Sequence, residues 1–179
     1  MSQNVIDKYK GWEPVRVRED LERKAFPYSV LMQHIDGDFN ISTFVRNGNA
    51  FGAEKLYYFG QRKWDRRGAV GTHNYKQLNH IASFDELVVL SQAHRFVAIE
   101  NNVGCAVDIN SFTPCAGDIY LFGEETQGLT QDLLSLCSVC VFIPQFGSVR
   151  SLNVGTASGI VMHSIASYFA SHMKGVCAI

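Results

Sequence analysis

Three short stretches of this chain gather residue types able to hold a small molecule and act on it. Asn40 and Arg46 stand six apart, an amide and a permanent cation. In Tyr120-Leu121-Phe122-Gly123-Glu124-Glu125-Thr126-Gln127-Gly128-Leu129 an apolar run ends at a glycine, an acidic loop follows, and a second glycine precedes a helix. Gly123 lets a ligand come close to the backbone there. The third stretch is Ile143-Pro144-Gln145-Phe146-Gly147-Ser148-Val149-Arg150-Ser151-Leu152-Asn153-Val154. An apolar strand stops at a proline, a glycine-containing loop follows, and Ser151-Leu152-Asn153 opens a helix running to about Phe169. Backbone amides and a polar cluster at a helix N-terminus are a common place to hold a small ligand.

The elements that must position these residues alternate. Apolar runs predict strands at Tyr28 to Gln33, Lys55 to Phe59, Phe96 to Ile99, Ala106 to Ile109, Ile119 to Phe122 and Val139 to Ile143. Helices are predicted at Asn40 to Phe51, Phe84 to Ala93 with Ser83 or Asp85 as cap, Gln131 to Leu136, and from Asn153 onward. A long loop with glycine and arginine joins Gly60 to Gln77. Such alternation predicts an α/β domain with a mostly parallel sheet flanked by helices. Residues 1–27, with mixed charges at helical spacing from Arg16 to Lys24, read as an exposed charged arm or helix, and residues 28–179 as the domain.

In the helix after Asn40, Ile41, Phe44, Val45, Gly48, Phe51 and Gly52 share one face, and Arg46 projects from the other beside Ser42 and Asn49. Periodicity alone makes Asn40 a cap and Arg46 a surface arginine. In the last helix Val154, Ala157, Ser158, Val161, Ile165, Tyr168 and Phe169 line one face, with Ile160 and Met162 off it. A helix apolar on more than one side must be covered by its own sheet or by a second copy.

The chain's 179 residues suffice for one domain with a sizeable core. With 46% hydrophobic and 18% charged residues the composition is globular, and no apolar run is long enough to span a bilayer. The N-terminal stretch is polar and carries acids, unlike a secretory or mitochondrial signal, so a cytoplasmic protein is expected, with no membrane partner. A net charge of −1 weighs against strong non-specific nucleic-acid binding. It conceals a local cluster of Arg62, Lys63, Arg66, Arg67 and Lys76, opposed by Asp65, which is either a solvated loop or a grip for phosphates. The five cysteines suggest no disulfide framework. Cys137 and Cys140 lack a second pair or nearby histidines for a metal and read as buried hydrophobes.

Taken together, Asn40-Ile41-Ser42-Thr43-Phe44-Val45-Arg46 with Ala50-Phe51-Gly52, then Gly123 to Leu129, then Ser151-Leu152-Asn153-Val154, resemble the three ordered motifs of the SpoU (TrmH-like) family of SPOUT RNA 2′-O-methyltransferases. The resemblance runs from about Val30 to Phe169. It departs at Glu124, at Thr126 and at Gly155-Thr156. It implies a C-terminal deep trefoil knot, the SPOUT fold, although knotted chains are rare. It also implies S-adenosylmethionine as cofactor, held near Ile99, Glu100, Gly123, Ile143 and Leu152. Arg46 is implied as the central catalytic residue, with Asn40, Glu125, Ser151 and Asn153 around it. The substrate implied is a ribose 2′-hydroxyl of RNA, with Arg62, Lys63, Arg66 and Arg67 on the phosphates, no DNA partner, and a homodimer as the working form.

Gly71-Thr72-His73-Asn74-Tyr75 resembles a stretch of tRNA-modifying members, which favours tRNA over rRNA. Two other readings compete. One is a knotted module that binds RNA or the cofactor without turnover. The other is an unrelated doubly wound nucleotide-binding domain, which lacks both a Gly-x-Gly-x-x-Gly and a phosphate-binding lysine after the loop.

Overall fold

The alternation resolves into seven parallel strands and five α-helices in the computed structural model, which describes residues 5–34, 40–60, 64–101, 103–124 and 127–173. The strands are β1 (Tyr28–His34), β2 (Leu56–Gly60), β3 (Leu78–Ile81), β4 (Phe96–Ile99), β5 (Val107–Asp108), β6 (Asp118–Phe122) and β7 (Val139–Phe142). The helices are α1 (Pro14–Arg23), α2 (Asn40–Ala50), α3 (Phe84–Ala93), α4 (Gln131–Ser135) and α5 (Val154–His172). The sheet order is β3-β2-β1-β6-β4-β7-β5, and every strand pairing is parallel. A parallel sheet is covered on both faces, so its inner strands are mostly apolar, with Ser29, Gln33 and Asp118 as buried polar exceptions. All residues of β4 and β6 are buried.

Helices α2 and α5 cover one face. Phe44, Val45, Val161, Met162 and Ile165 pack there with Val30, Met32, Tyr120 and Phe122, and the Phe44 and Phe122 rings meet edge-on at 5.8 Å. Helices α3 and α4 cover the other face through Leu87 and Leu133, against Leu31, Ala98, Ile119 and Leu121. Ser83 caps α3 by accepting from the Glu86 backbone N–H. Gly48 lets α2 lie close to the sheet, since a Cβ there would clash with Leu56.

Four details differ from the sequence reading. Strand β3 lies between the loop read to Gln77 and the helix read from Phe84, where no strand was predicted. As an edge strand paired only with β2, its Leu-Asn-His-Ile carries no apolar run. The loop before it holds two single 3-10 turns, Arg67–Ala69 and Thr72–Asn74. Met162 is fully buried rather than off the apolar face of α5, because that helix packs beside α2 and Met162 joins the core cluster on that face of the sheet. The N-terminal arm is docked rather than free. Tyr9, Val17 and Tyr75 form a small core, Arg18 donates to the Asn74 carbonyl at 3.1 Å, and Asp20 accepts from Lys8, Tyr9 and Lys24 at 2.9, 2.8 and 2.6 Å.

Candidate active site

Strands β6, β4 and β7 are neighbours, and their carboxyl ends open on a cleft of about 190 Å³. Open parallel sheets bind ligands in the crevice outside these ends. Ile99, Glu100, Gly123, Ile143 and Leu152, the five residues predicted to hold a cofactor, all line the cleft, together with Ser151, Phe122, Glu124 and Arg150.

Two glycines shape its floor. A Cβ on Gly123 would overlap the backbone of Gly128 and Leu129, so the end of β6 and the returning loop lie against each other. Glu124 and Gly128 close that loop, the Gly128 N–H donating to the Glu124 carbonyl at 3.1 Å. Gly128 has a φ of +70°, which favours glycine, and a Cβ there would strike the Glu100 carboxylate. On the far wall Asn101 Oδ1 accepts from the Ile143 N–H at 3.3 Å.

The N-terminus of α5 forms the other side. Asn153 caps the helix, its Oδ1 accepting from the Thr156 N–H at 3.2 Å, while its Nδ2 donates to Asn40 Oδ1 at 2.9 Å. Asn40 is the first residue of α2 and so joins the first motif to the third. Two turns on, Asn47 donates to the Gly155 carbonyl at 2.9 Å and to Ser158 Oγ at 3.0 Å.

Arg46 is exposed on α2 and does not line the cleft. Its position follows from its neighbours one turn back. Thr43 faces α5, where a Cβ on Gly155 would come within 3.2 Å of Thr43 Cβ, and Ser42 donates to the Asp65 carbonyl in the loop. Arg46 therefore stands over the junction between that loop and the start of α5.

Within the loop, Arg66 lies over the Trp64 ring at 5.8 Å, and Trp64 meets His73 edge-on at 6.2 Å. Burial, with the Arg66 charge added, holds the His73 imidazole below its ordinary value. Arg67 is spent on Asp65, donating to both carboxylate oxygens at 2.6 to 3.0 Å, so its charge is already balanced. Glu125, Arg62 and Lys63 lie outside the described residues. Burial pushes the Cys137 and Cys140 thiols up to about 12 and about 11, so both stay protonated at neutral pH.

Sequence reading missed Asn47 and Asn101. Asn47 carried a signal, since it falls seven residues after Asn40 and hence on the same helix face. Asn101 had only its place just past a buried strand.

Residues 27–163 match the model of the SpoU rRNA Methylase family. The chain is 25% identical over 152 residues to the tRNA (guanosine(18)-2′-O)-methyltransferase of Escherichia coli strain K12, covering 83% of this chain and 66% of that protein. The chain thus spans slightly less than two thirds of that relative's length. Among solved structures, the A. aeolicus TrmH/SpoU tRNA modifying enzyme superposes with a TM-score of 0.77 at 21% identity, over 89% of this chain and 83% of that one. The SpoU methyltransferase AviRb from Streptomyces viridochromogenes, in complex with the cofactor AdoMet, gives 0.71 at 24% identity, over 82% and 58%. Among the described residues no helix is long and apolar enough to cross a membrane.

Proposed function

The chain belongs to the SpoU rRNA Methylase family, and on that premise we propose that it transfers a methyl group from S-adenosylmethionine to a ribose 2′-hydroxyl of RNA, tRNA before rRNA. The observation that carries this reading is the cleft, where residues from motifs two and three converge and the Asn153–Asn40 bond ties motif one to them. The lining suits the cofactor. Ile99, Phe122, Ile143 and Leu152 offer apolar walls for an adenine, and Glu100 and Glu124 offer acceptors to a ligand rich in hydroxyl and ammonium donors.

When bound, the cofactor supplies a sulfonium methyl, which forms a bond to the 2′-oxygen as the sulfur–carbon bond breaks. The residues of this chain bind and align. Ile99, Gly123, Ile143 and Leu152 enclose the adenosyl end. Arg46 is a fixed cation and therefore a clamp for the neighbouring phosphate, not a base. A phosphate oxygen held there would serve as acceptor for the departing proton. Asn40, Ser151 and Asn153 orient the ribose beside Arg46, and Glu125 belongs to the same set by its motif. Arg66, with Arg62 and Lys63 from the same loop, grips more distant phosphates, and Trp64 offers a face for a base.

The tRNA preference draws on the curated relatives named for guanosine 18 of tRNA and on Gly71 to Tyr75. Residues 28–179 are the methyltransferase domain and 1–27 its arm. The strand order, in which β7 enters between the earlier β4 and β5, supports a knotted C-terminal part. We take the working form to be a cytoplasmic homodimer, for which sedimentation is expected to give twice the chain mass.

Calorimetry with S-adenosylmethionine, followed by transfer of labelled methyl to bulk tRNA and to rRNA, tests the proposal. Binding and labelling of tRNA are expected. Binding with no transfer to either RNA would make the chain a non-catalytic module, and no binding would end the proposal.

A further inference from the structure

We infer that the Glu100 carboxylate is the acceptor for the ribose diol of the bound adenosyl group, a role for this side chain that rests on the cofactor reading above. Glu100 follows the last residue of β4. Its N–H donates to the Val141 carbonyl at 3.1 Å and its own carbonyl accepts from Cys140 Sγ at 3.5 Å, so the backbone is held in the sheet.

Two amides orient its side chain. Oε1 accepts from the Asn101 N–H at 3.0 Å and Oε2 from the Leu129 N–H at 3.4 Å. The carboxylate therefore bridges the end of β4 to the loop after β6, in space that only a glycine at 128 leaves open. A carboxylate offers about four acceptor positions, two on each oxygen. Among the described residues one position on each oxygen is taken by an amide and one on each is left, and the residue lines the cleft.

A fixed group with one open acceptor on each of two adjacent oxygens matches two hydroxyls on adjacent carbons. Of the donors on an adenosyl ligand, only the ribose diol has that form. The adenine amine carries its hydrogens on one nitrogen, and the amino-acid ammonium is a single point. A carboxylate past the end of a parallel strand takes ribose hydroxyls in dinucleotide-binding folds for the same reason. The group accepts only, so it also rejects phosphate.

The test is calorimetry of S-adenosylhomocysteine and its 2′-deoxy and 3′-deoxy analogues with the wild-type chain, Glu100→Ala and Glu100→Gln. A hydrogen bond to a charged acceptor makes each deoxy analogue about tenfold to a hundredfold weaker on the wild type. Glu100→Ala loses both bonds, so it is expected to bind the parent ligand more weakly than the wild type binds either analogue, and to treat all three alike. Glu100→Gln keeps the shape and one acceptor, so it retains part of the discrimination; it decides the matter where Glu100→Ala does not fold. Undiminished discrimination in the variants, or a wild type that binds all three equally, would overturn the role of Glu100 and leave the cofactor reading standing. A wild type that binds neither S-adenosylmethionine nor the parent ligand would overturn both.

Discussion

A guanidinium keeps its proton throughout the range in which a protein stays folded, so Arg46 can lend charge and position but cannot take a proton. Its exposure on α2, outside the cleft, agrees with a clamp on RNA and not with a contact to the cofactor. Arg46→Ala is therefore expected to bind S-adenosylmethionine as the wild type does while methyl transfer falls by about a hundredfold or more. Arg46→Lys keeps the charge, loses the planar fork, and is expected to fall between the two. Wild-type turnover by Arg46→Ala on a defined RNA would remove Arg46 from the mechanism. Gly128 gives the opposite signature. Gly128→Ala places a methyl against the Glu100 carboxylate at a φ of +70°, so loss of cofactor affinity by about tenfold or more is expected before any effect on RNA. Titration with S-adenosylmethionine reads it directly, and unchanged affinity would separate this loop from the cofactor.

At the scale of elements, the site is built by fastening α2 to α5. Asn47 does most of this, giving both amide hydrogens to α5, and Asn153 adds a cap and the link to Asn40. Asn47→Ala is expected to cost about 2 kcal/mol, because the Gly155 carbonyl and Ser158 Oγ each lose a donor at a half-buried contact. Asn153→Ala is expected to cost about 1 kcal/mol as a lost cap. Urea melts give both values, and an Asn47→Ala midpoint at the wild-type position would mean the two helices are held by apolar packing alone. This fastening also marks how far the sequence could be read. Strands buried on both faces are legible as apolar runs, which is why β1, β2, β4, β6 and β7 stand where the runs predict. Strand β3 is not, because an edge strand needs no such run. The cleft lining was legible through the resemblance of Gly123 to Leu129 and of Ser151-Leu152-Asn153 to the family's motifs, since a glycine at a strand end is by itself common in α/β domains. Pairings between distant residues were not. That Arg67 turns back on Asp65 while Arg66 sits over Trp64 depends on loop geometry that spacing does not encode. The burial of Met162 likewise depends on how α5 packs beside α2.

Across the whole molecule, an acid held within the arm and a buried lysine where the arm meets the domain make stability depend on pH. Lys24, Lys8 and Tyr9 hold the Asp20 carboxyl well below the usual carboxylate range, so its contribution is complete above the ordinary value and is lost as pH falls through the depressed one. The alkaline side rests on Lys76, which sits beside a cavity of about 390 Å³ with Glu22 of α1, Glu54, Lys55 and Tyr75. Burial lowers the Lys76 ammonium to about 8, against the pull of Glu22 and Glu54, and its Nζ donates to the Glu54 carbonyl at 2.9 Å. The unfolded chain keeps that proton up to about pH 10.4. Between the two values the unfolded state binds more protons, so this residue makes stability rise with pH. Below pH 8 both states are charged and the burial cost is constant. Replacing Lys76 by methionine removes a buried charge while keeping an unbranched apolar side chain. Lys76→Met is expected to be more stable than the wild type at pH 7 by about 2 kcal/mol and to lose the advantage by pH 10. Urea melts of both chains at pH 7, 8.5 and 10 measure the difference at each step. A gap that stays constant from pH 7 to pH 10 would mean that Lys76 does not titrate in that window.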